Sequence, residues 1–197
     1  MYTHKTHQWI AGLVSALLCI PLAATAQTES SVLHGRVSFD AGGTLLRGTD
    51  ESDWSSGSIN TLILPGDTVW VDNGGTTELE FSGGTFLRMA DGSKADIESV
   101  SPGAAVRAWV GSFYVHRLNR SSGSFIFSTP AGVIEVDKDS SVRIDILDGD
   151  LTTVSTRWGR ATVRTDAGGS VQATAGRRVY IETGFLPSEP TPFDRTG

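Results

Sequence analysis

Cysteine is almost missing from these 197 residues; the one copy is Cys19, inside an apolar run near the N-terminus. Beyond that run there is no thiol for a disulfide, a zinc or iron–sulfur centre, or a cysteine nucleophile. Histidine is scarce: of four, only His34 and His116 lie beyond residue 27. Each stands alone in an extended run, as a strand-surface residue does, without the second ligand or base that metal or acid–base chemistry needs. Positive charge is also in short supply, 16 Lys and Arg against 22 Asp and Glu for a net charge of −6. The cations are dispersed, with Arg177-Arg178 as a doublet that reads as a solvated strand end. Nucleic acid is therefore not an expected partner. The G-x-S-x-G, G-x-x-x-x-G-K-[ST] and H-E-x-x-H patterns do not occur. Together these absences lead to the expectation of a non-enzymatic protein with no catalytic residues, no cofactor and no metal.

Long hydrophobic runs are missing as well. The longest, "IAGLVSALLCIPL" at residues 10–22, has thirteen residues and contains Pro21, against the roughly 20 that a spanning helix needs. A lysine without acidic neighbours precedes it, and "ATA" at residues 24–26 follows. This is the layout of a secretory signal peptide, residues 1–26, cut between Ala26 and Gln27. Leu18 before Cys19 does not suit lipid attachment, so no stable membrane insertion is expected after cleavage. The remaining chain of about 170 residues must then be held together by its core, without disulfides.

What the chain does contain is alternation. "TVWVD", "TELEF", "SFYVHRL", "SVRIDIL" and "RVYIE" place apolar residues at every second position, the pattern of half-buried strands. Turn residues divide them: "PGD", "DNGG", "SPG", "TPAG", "DAGG". The period puts Val69, Val71, Leu79, Phe81, Leu87, Met89, Ile97, Phe125, Phe127, Ile134, Val136, Val142, Ile144 and Ile146 inward. It puts Glu80, Arg88, Glu98, Glu135, Arg143 and Asp145 in water. The stretch "GTFLRMADGSKADIE" (84–98) is echoed by "GVIEVDKDSSVRIDI" (132–146), with a fainter third copy over residues 161–182. Repeats of this kind are stacked units, each burying the apolar face of the next. The expected fold is all-β, a compact β-sandwich or a short β-solenoid, over residues 27–185. The Pro-rich end "LPSEPTPFDRTG" (186–197) reads as a disordered tail.

Three further groupings invite chemistry. The acidic run 137–150 lacks the glycine and terminal glutamate of a calcium loop and reads as a rim of turn aspartates. Glu78, Glu80, Asp96 and Glu98 are the candidates for a glycosidase carboxylate pair. Trp54, Trp70, Trp109 and Trp158 could stack against sugar, although their spacing does not put them on one strand face.

The pieces "PGDTVWVD" (65–72), "TTELEFSGGTFLRM" (76–89), "GSFYVHR" (111–117), "FSTPAGVIEV" (127–136), "TTVSTRWGRATV" (152–163) and "AGRRVYIE" (175–182), in this order, resemble the FecR-like family of bacterial envelope proteins. The resemblance covers residues 32–182 and implies a periplasmic or secreted location and another envelope protein as partner. Signalling members relay a signal from an outer-membrane transporter to a cytoplasmic sigma factor, through an anti-sigma segment and a membrane helix. This chain looks like the stand-alone exported form, without either. The positions that mark the family are Gly66, Asp67, Thr129, Pro130, Gly132 and Gly176, and their implied task is turn geometry; Gly132 is expected at positive φ after Pro130. The function expected is protein interaction or envelope sensing. The alternatives are a module that binds envelope polysaccharide or peptidoglycan, and a β-helical enzyme acting on polysaccharide.

Overall fold

The structure, a computed structural model, describes residues 34–101, 103–147 and 151–194. The expected signal peptide and its cleavage site at Ala26 and Gln27 lie outside the described residues. The first half of the chain forms β1 (Gly35–Asp40), β2 (Thr44–Arg47), β3 (Ser55–Ser56), β4 (Leu62–Ile63), β5 (Thr68–Val71), β6 (Thr76–Phe81), β7 (Thr85–Ala90), β8 (Lys94–Ser99) and β9 (Ala105–Arg117). The second half forms β10 (Phe125–Thr129), β11 (Gly132–Val136), β12 (Ser140–Leu147), β13 (Leu151–Trp158), β14 (Arg160–Arg164), β15 (Ser170–Thr174), β16 (Arg177–Glu182) and β17 (Thr191–Pro192). No helix occurs among the described residues.

The pairings resolve into two layers. The front sheet runs β4-β1-β6-β7-β9-β12-β13-β16-β17. The back sheet runs β3-β2-β5-β8-β9-β10-β11-β14-β15. β9 belongs to both, because its first half pairs with β8 and β10 and its second half with β7 and β12. The changeover falls at Gly111, whose φ of +114° is open to glycine and whose missing side chain leaves room for Ser93, 2.5 Å from where a Cβ would stand to the Ser93 Cα. Every pairing among the described residues is antiparallel except β9 with β10. A solenoid stacks its coils in parallel, so the sandwich is the form the all-β expectation takes here.

All of the positions expected to face inward are buried. The phenylalanines from the two layers meet at the centre, Phe113 edge-on to Phe127 at 5.1 Å and Phe81 tilted against Phe125 at 6.0 Å. The repeat takes an unexpected form. The first copy puts β7 in the front sheet and β8 in the back; the second puts β11 in the back and β12 in the front. Either arrangement buries the same apolar positions, since both sheets face one interior.

Three departures from the sequence reading have physical causes. Arg117, at an inward position of β9, is 2 % exposed. Its guanidinium donates to the carbonyls of Val136 at 2.6 Å and Gly123 at 2.9 Å and to Thr85 Oγ1 at 3.3 Å. Burial lowers its pKa from the ordinary arginine value, and the nearby Asp137 and Glu135 partly oppose that. Gly132 is not at positive φ. It is required because β14 passes so close that a Cβ would stand 2.2 Å from the Arg164 carbonyl oxygen. Finally, the Pro-rich segment expected to be disordered folds back along β16. Ser188 N and Oγ bond the Tyr180 carbonyl and amide at 2.9 Å each, Thr191 and Pro192 pair with Arg178 and Arg177, and the Phe193 amide donates to the Gly176 carbonyl at 3.2 Å. Prolines suit this position because an edge strand needs few outward donors.

Candidate functional site

Strand register builds one row of outward side chains across the front sheet: Glu78, Arg88, Tyr114, Arg143, Ser155 and Arg178, on β6, β7, β9, β12, β13 and β16 in turn. Arginine recurs on every second strand from β7, so neighbouring guanidinium stems start about 10 Å apart, twice the inter-strand distance. Arg88 is held by Glu78 at 2.9 Å and lies over the Phe39 ring at 5.6 Å. Arg143 Nε donates to both Asp145 oxygens, at 3.0 and 2.9 Å, and this hydrogen bond raises the arginine pKa. Arg178 Nε donates to Ser155 Oγ at 2.8 Å while its guanidinium faces the Phe193 ring at 5.2 Å.

A trough follows this row. Its largest hollow, about 390 Å³, is lined by Tyr114, Arg143, Asp145, Ser155, Arg157, Arg178, Phe193 and Asp194. Two neighbouring hollows of about 350 and 320 Å³ share Tyr114 and Arg88 with each other, and Arg143 borders the larger. Next to the row, Phe86 stacks on His116 at 6.3 Å and Trp158 meets His116 edge-on at 5.6 Å. The Nδ1 atom of His116 is buried there without a hydrogen-bond partner.

The sandwich ends in four sheet edges, and three are blunted. β3 and β4 have two residues each, and β17 has two with a proline. The fourth, β15, offers five residues, "SVQAT", with neither charge nor proline, and pairs only with β14 among the described residues. Phe185 and Leu186, 62 % and 64 % exposed, lie close by, since Leu186 approaches the Gly169 turn that opens β15.

The residues singled out from sequence are spread over the molecule. Glu78 and Glu80 project from the front sheet, Asp96 and Glu98 from the back, so the four carboxylates do not converge on one bond. Each has its own partner: Arg88, Arg36, Trp109 Nε1 at 2.7 Å, and Arg107 at 2.8 Å. Trp109 and Trp70 sit on the back sheet, Trp158 on the front, and Trp54 in a loop under Arg47, so no aromatic platform forms. His34 leads into β1 and His116 is the trough-side residue just described. None of the six turn residues lines the trough, although Gly176 accepts from the amide of Phe193, which does. Gly66, at φ +94°, donates its amide to the Ile97 carbonyl while Asp67 accepts from the Leu64 amide at 2.8 Å. The Thr129 hydroxyl bridges the amide and carbonyl of Gly132, and the Pro130 carbonyl accepts from Thr183. Gly176, at φ +78°, donates to the Thr156 carbonyl at 2.7 Å. Tyr114, Ser155, Arg178 and Phe193 were not legible as a group, because only register brings them together.

Among the described residues, fold and surface define an all-β, two-layered domain with one open sheet edge and an arginine-lined trough. The same fold occurs in two crystal structures, at 1.65 and 2.50 Å resolution, of a candidate anti-sigma factor from Parabacteroides distasonis. In both the TM-score is 0.55 and the identity 16%, and the match covers 65% of this chain and 60% of that one. This chain thus spans less than two thirds of the length of that protein, and the likeness is one of fold. No family model matches the chain, and no curated protein does.

Proposed function

We propose that this protein is a non-enzymatic, FecR-like interaction module of the bacterial envelope, exported to the periplasm, which captures an extended segment of another envelope protein along β15. The observation that carries this reading is the uncovered β15 edge, in a fold shared with a candidate anti-sigma factor. An unpaired strand presents a row of backbone donors and acceptors, and natural sheets normally hide such a row with charge, proline or a covering segment. The other edges here are strands of only two residues, one of them with a proline. The molecule also contains an example of the capture, because residues 188–193 are held along β16 by main-chain bonds. An incoming strand would continue the sheet beyond β15, with Phe185 and Leu186 as apolar anchors beside it.

The test is photo-crosslinking in intact cells from probes at Ser170 and Thr174, with a probe at Trp109 on the far part of the back sheet for comparison. The expected result is one envelope protein captured from the β15 positions, not from Trp109, and lost when Gln172→Lys puts a charge on the edge. Monomer alone, under conditions where a known envelope pair is captured, overturns the reading. Fractionation is the second check: the polypeptide is expected in the periplasm with Gln27 as its first residue, and recovery from the cytosol refutes export.

A further inference from the structure

We infer that the trough on the front sheet is a binding site for an acidic glycan, a sugar chain carrying carboxylates. The inference is independent of strand capture at β15, which lies in the other sheet.

The argument starts from how two arginines are held. Arg143 is anchored through Nε to Asp145, and Arg178 through Nε to Ser155. In both, the two terminal nitrogens carry no hydrogen bond among the described residues, while Nε fixes the plane of the guanidinium. A guanidinium fixed at Nε keeps a planar pair of donors that matches a carboxylate with two parallel bonds. Both arginines line the same cavity of about 390 Å³, two strands apart with Ser155 between them. Asp145, which also accepts from Ser112 Oγ at 2.7 Å, offsets the charge of Arg143, and Asp194 lies in the lining as well, but the three arginines there, Arg143, Arg157 and Arg178, outnumber these two aspartates. In a protein of net charge −6 such a concentration of arginine runs against the overall composition.

The class of ligand follows from what else the trough offers. It crosses the middle of a sheet, where backbone donors and acceptors are used by the neighbouring strands, so it lacks the main-chain bonding by which a peptide strand is recognised. Recognition must come from side chains, and these are the cations Arg143, Arg157 and Arg178 and the rings of Tyr114 and Phe193, around the buried hydroxyl of Ser155. Aromatic faces beside charged and hydroxyl donors suit a sugar ring that carries a carboxylate.

Calorimetric titration of the folded domain with oligogalacturonate, a purely carboxylated sugar chain, tests this. Binding is expected, weakening as salt is raised from low to physiological strength, with no heat from an uncharged oligosaccharide of the same length. Arg178→Gln and Arg143→Gln are each expected to weaken it by about tenfold. Arg178→Lys, which keeps charge and fold but removes the fork, should fall between, and Arg36→Gln outside the trough should match the wild type. The inference is overturned if oligogalacturonate does not bind, if the neutral chain binds equally, if Arg36→Gln is as damaging as the trough variants, or if poly-glutamate binds more tightly. Crosslinking at β15 is unaffected by any of these results, so the two readings fail separately.

Discussion

Gly132 and Arg164 lie so close that a Cβ on the glycine would stand 2.2 Å from the carbonyl oxygen of the arginine. β11 and β14 therefore pair in the back sheet beside a contact that admits hydrogen alone. Gly132→Ala should destabilise the domain by about 1–3 kcal/mol, because the obstacle is backbone and cannot rotate away. Gly168→Ala is the comparison, with open space around it and a φ of +92° as its only difficulty; it should cost about 1–2 kcal/mol. Urea denaturation of both, with unchanged slope, checks the order; a Gly132→Ala as stable as the wild type would refute the close approach.

Arg117 ties β7, β9 and β11 from inside the core. Arg117→Met should fill the volume and still cost about 1–3 kcal/mol, since the carbonyls of Val136 and Gly123 lose their donor and that of Val136 does so inside the core. A chemical-denaturation midpoint within error of the wild type would mean that these carbonyls find other partners.

The segment 186–194 closes the β16 edge. Removing it should expose the amide of Tyr180, which hydrogen exchange reads as loss of protection, and should promote self-association, which sedimentation reads as a higher mean mass. Intact protection after truncation would show that the edge is covered in another way.

Glu80 and Glu98 pair with Arg36 and Arg107 at the surface. Glu80→Gln and Glu98→Gln should each change stability by less than about 1 kcal/mol, since solvent and salt screen such pairs. A larger loss by thermal denaturation would point to a more extensive network than these two contacts.

The tail and Gly132 illustrate why part of the structure was hidden from a sequence reading. Three prolines in twelve residues resemble a linker when read locally, yet an edge strand tolerates them because its outward amides need no ladder partner. Gly132 after Pro130 reads as a turn glycine, and only the arrival of β14, some thirty residues later, turns its missing side chain into a packing requirement. Arg117 occupies an apolar register position, and alternation alone could not say that carbonyls would gather around it.

Alternation every second residue, with glycine and proline between the runs, was sufficient to determine an all-β domain and the side chains of its interior, because burial of one face is a local property of each strand. Which strands became neighbours was decided by tertiary structure. The exchange of sheets between repeats, the arginine row, and the one edge left open arise from register between segments distant in the chain, and short polar patterns carry no record of which segment will pair with which.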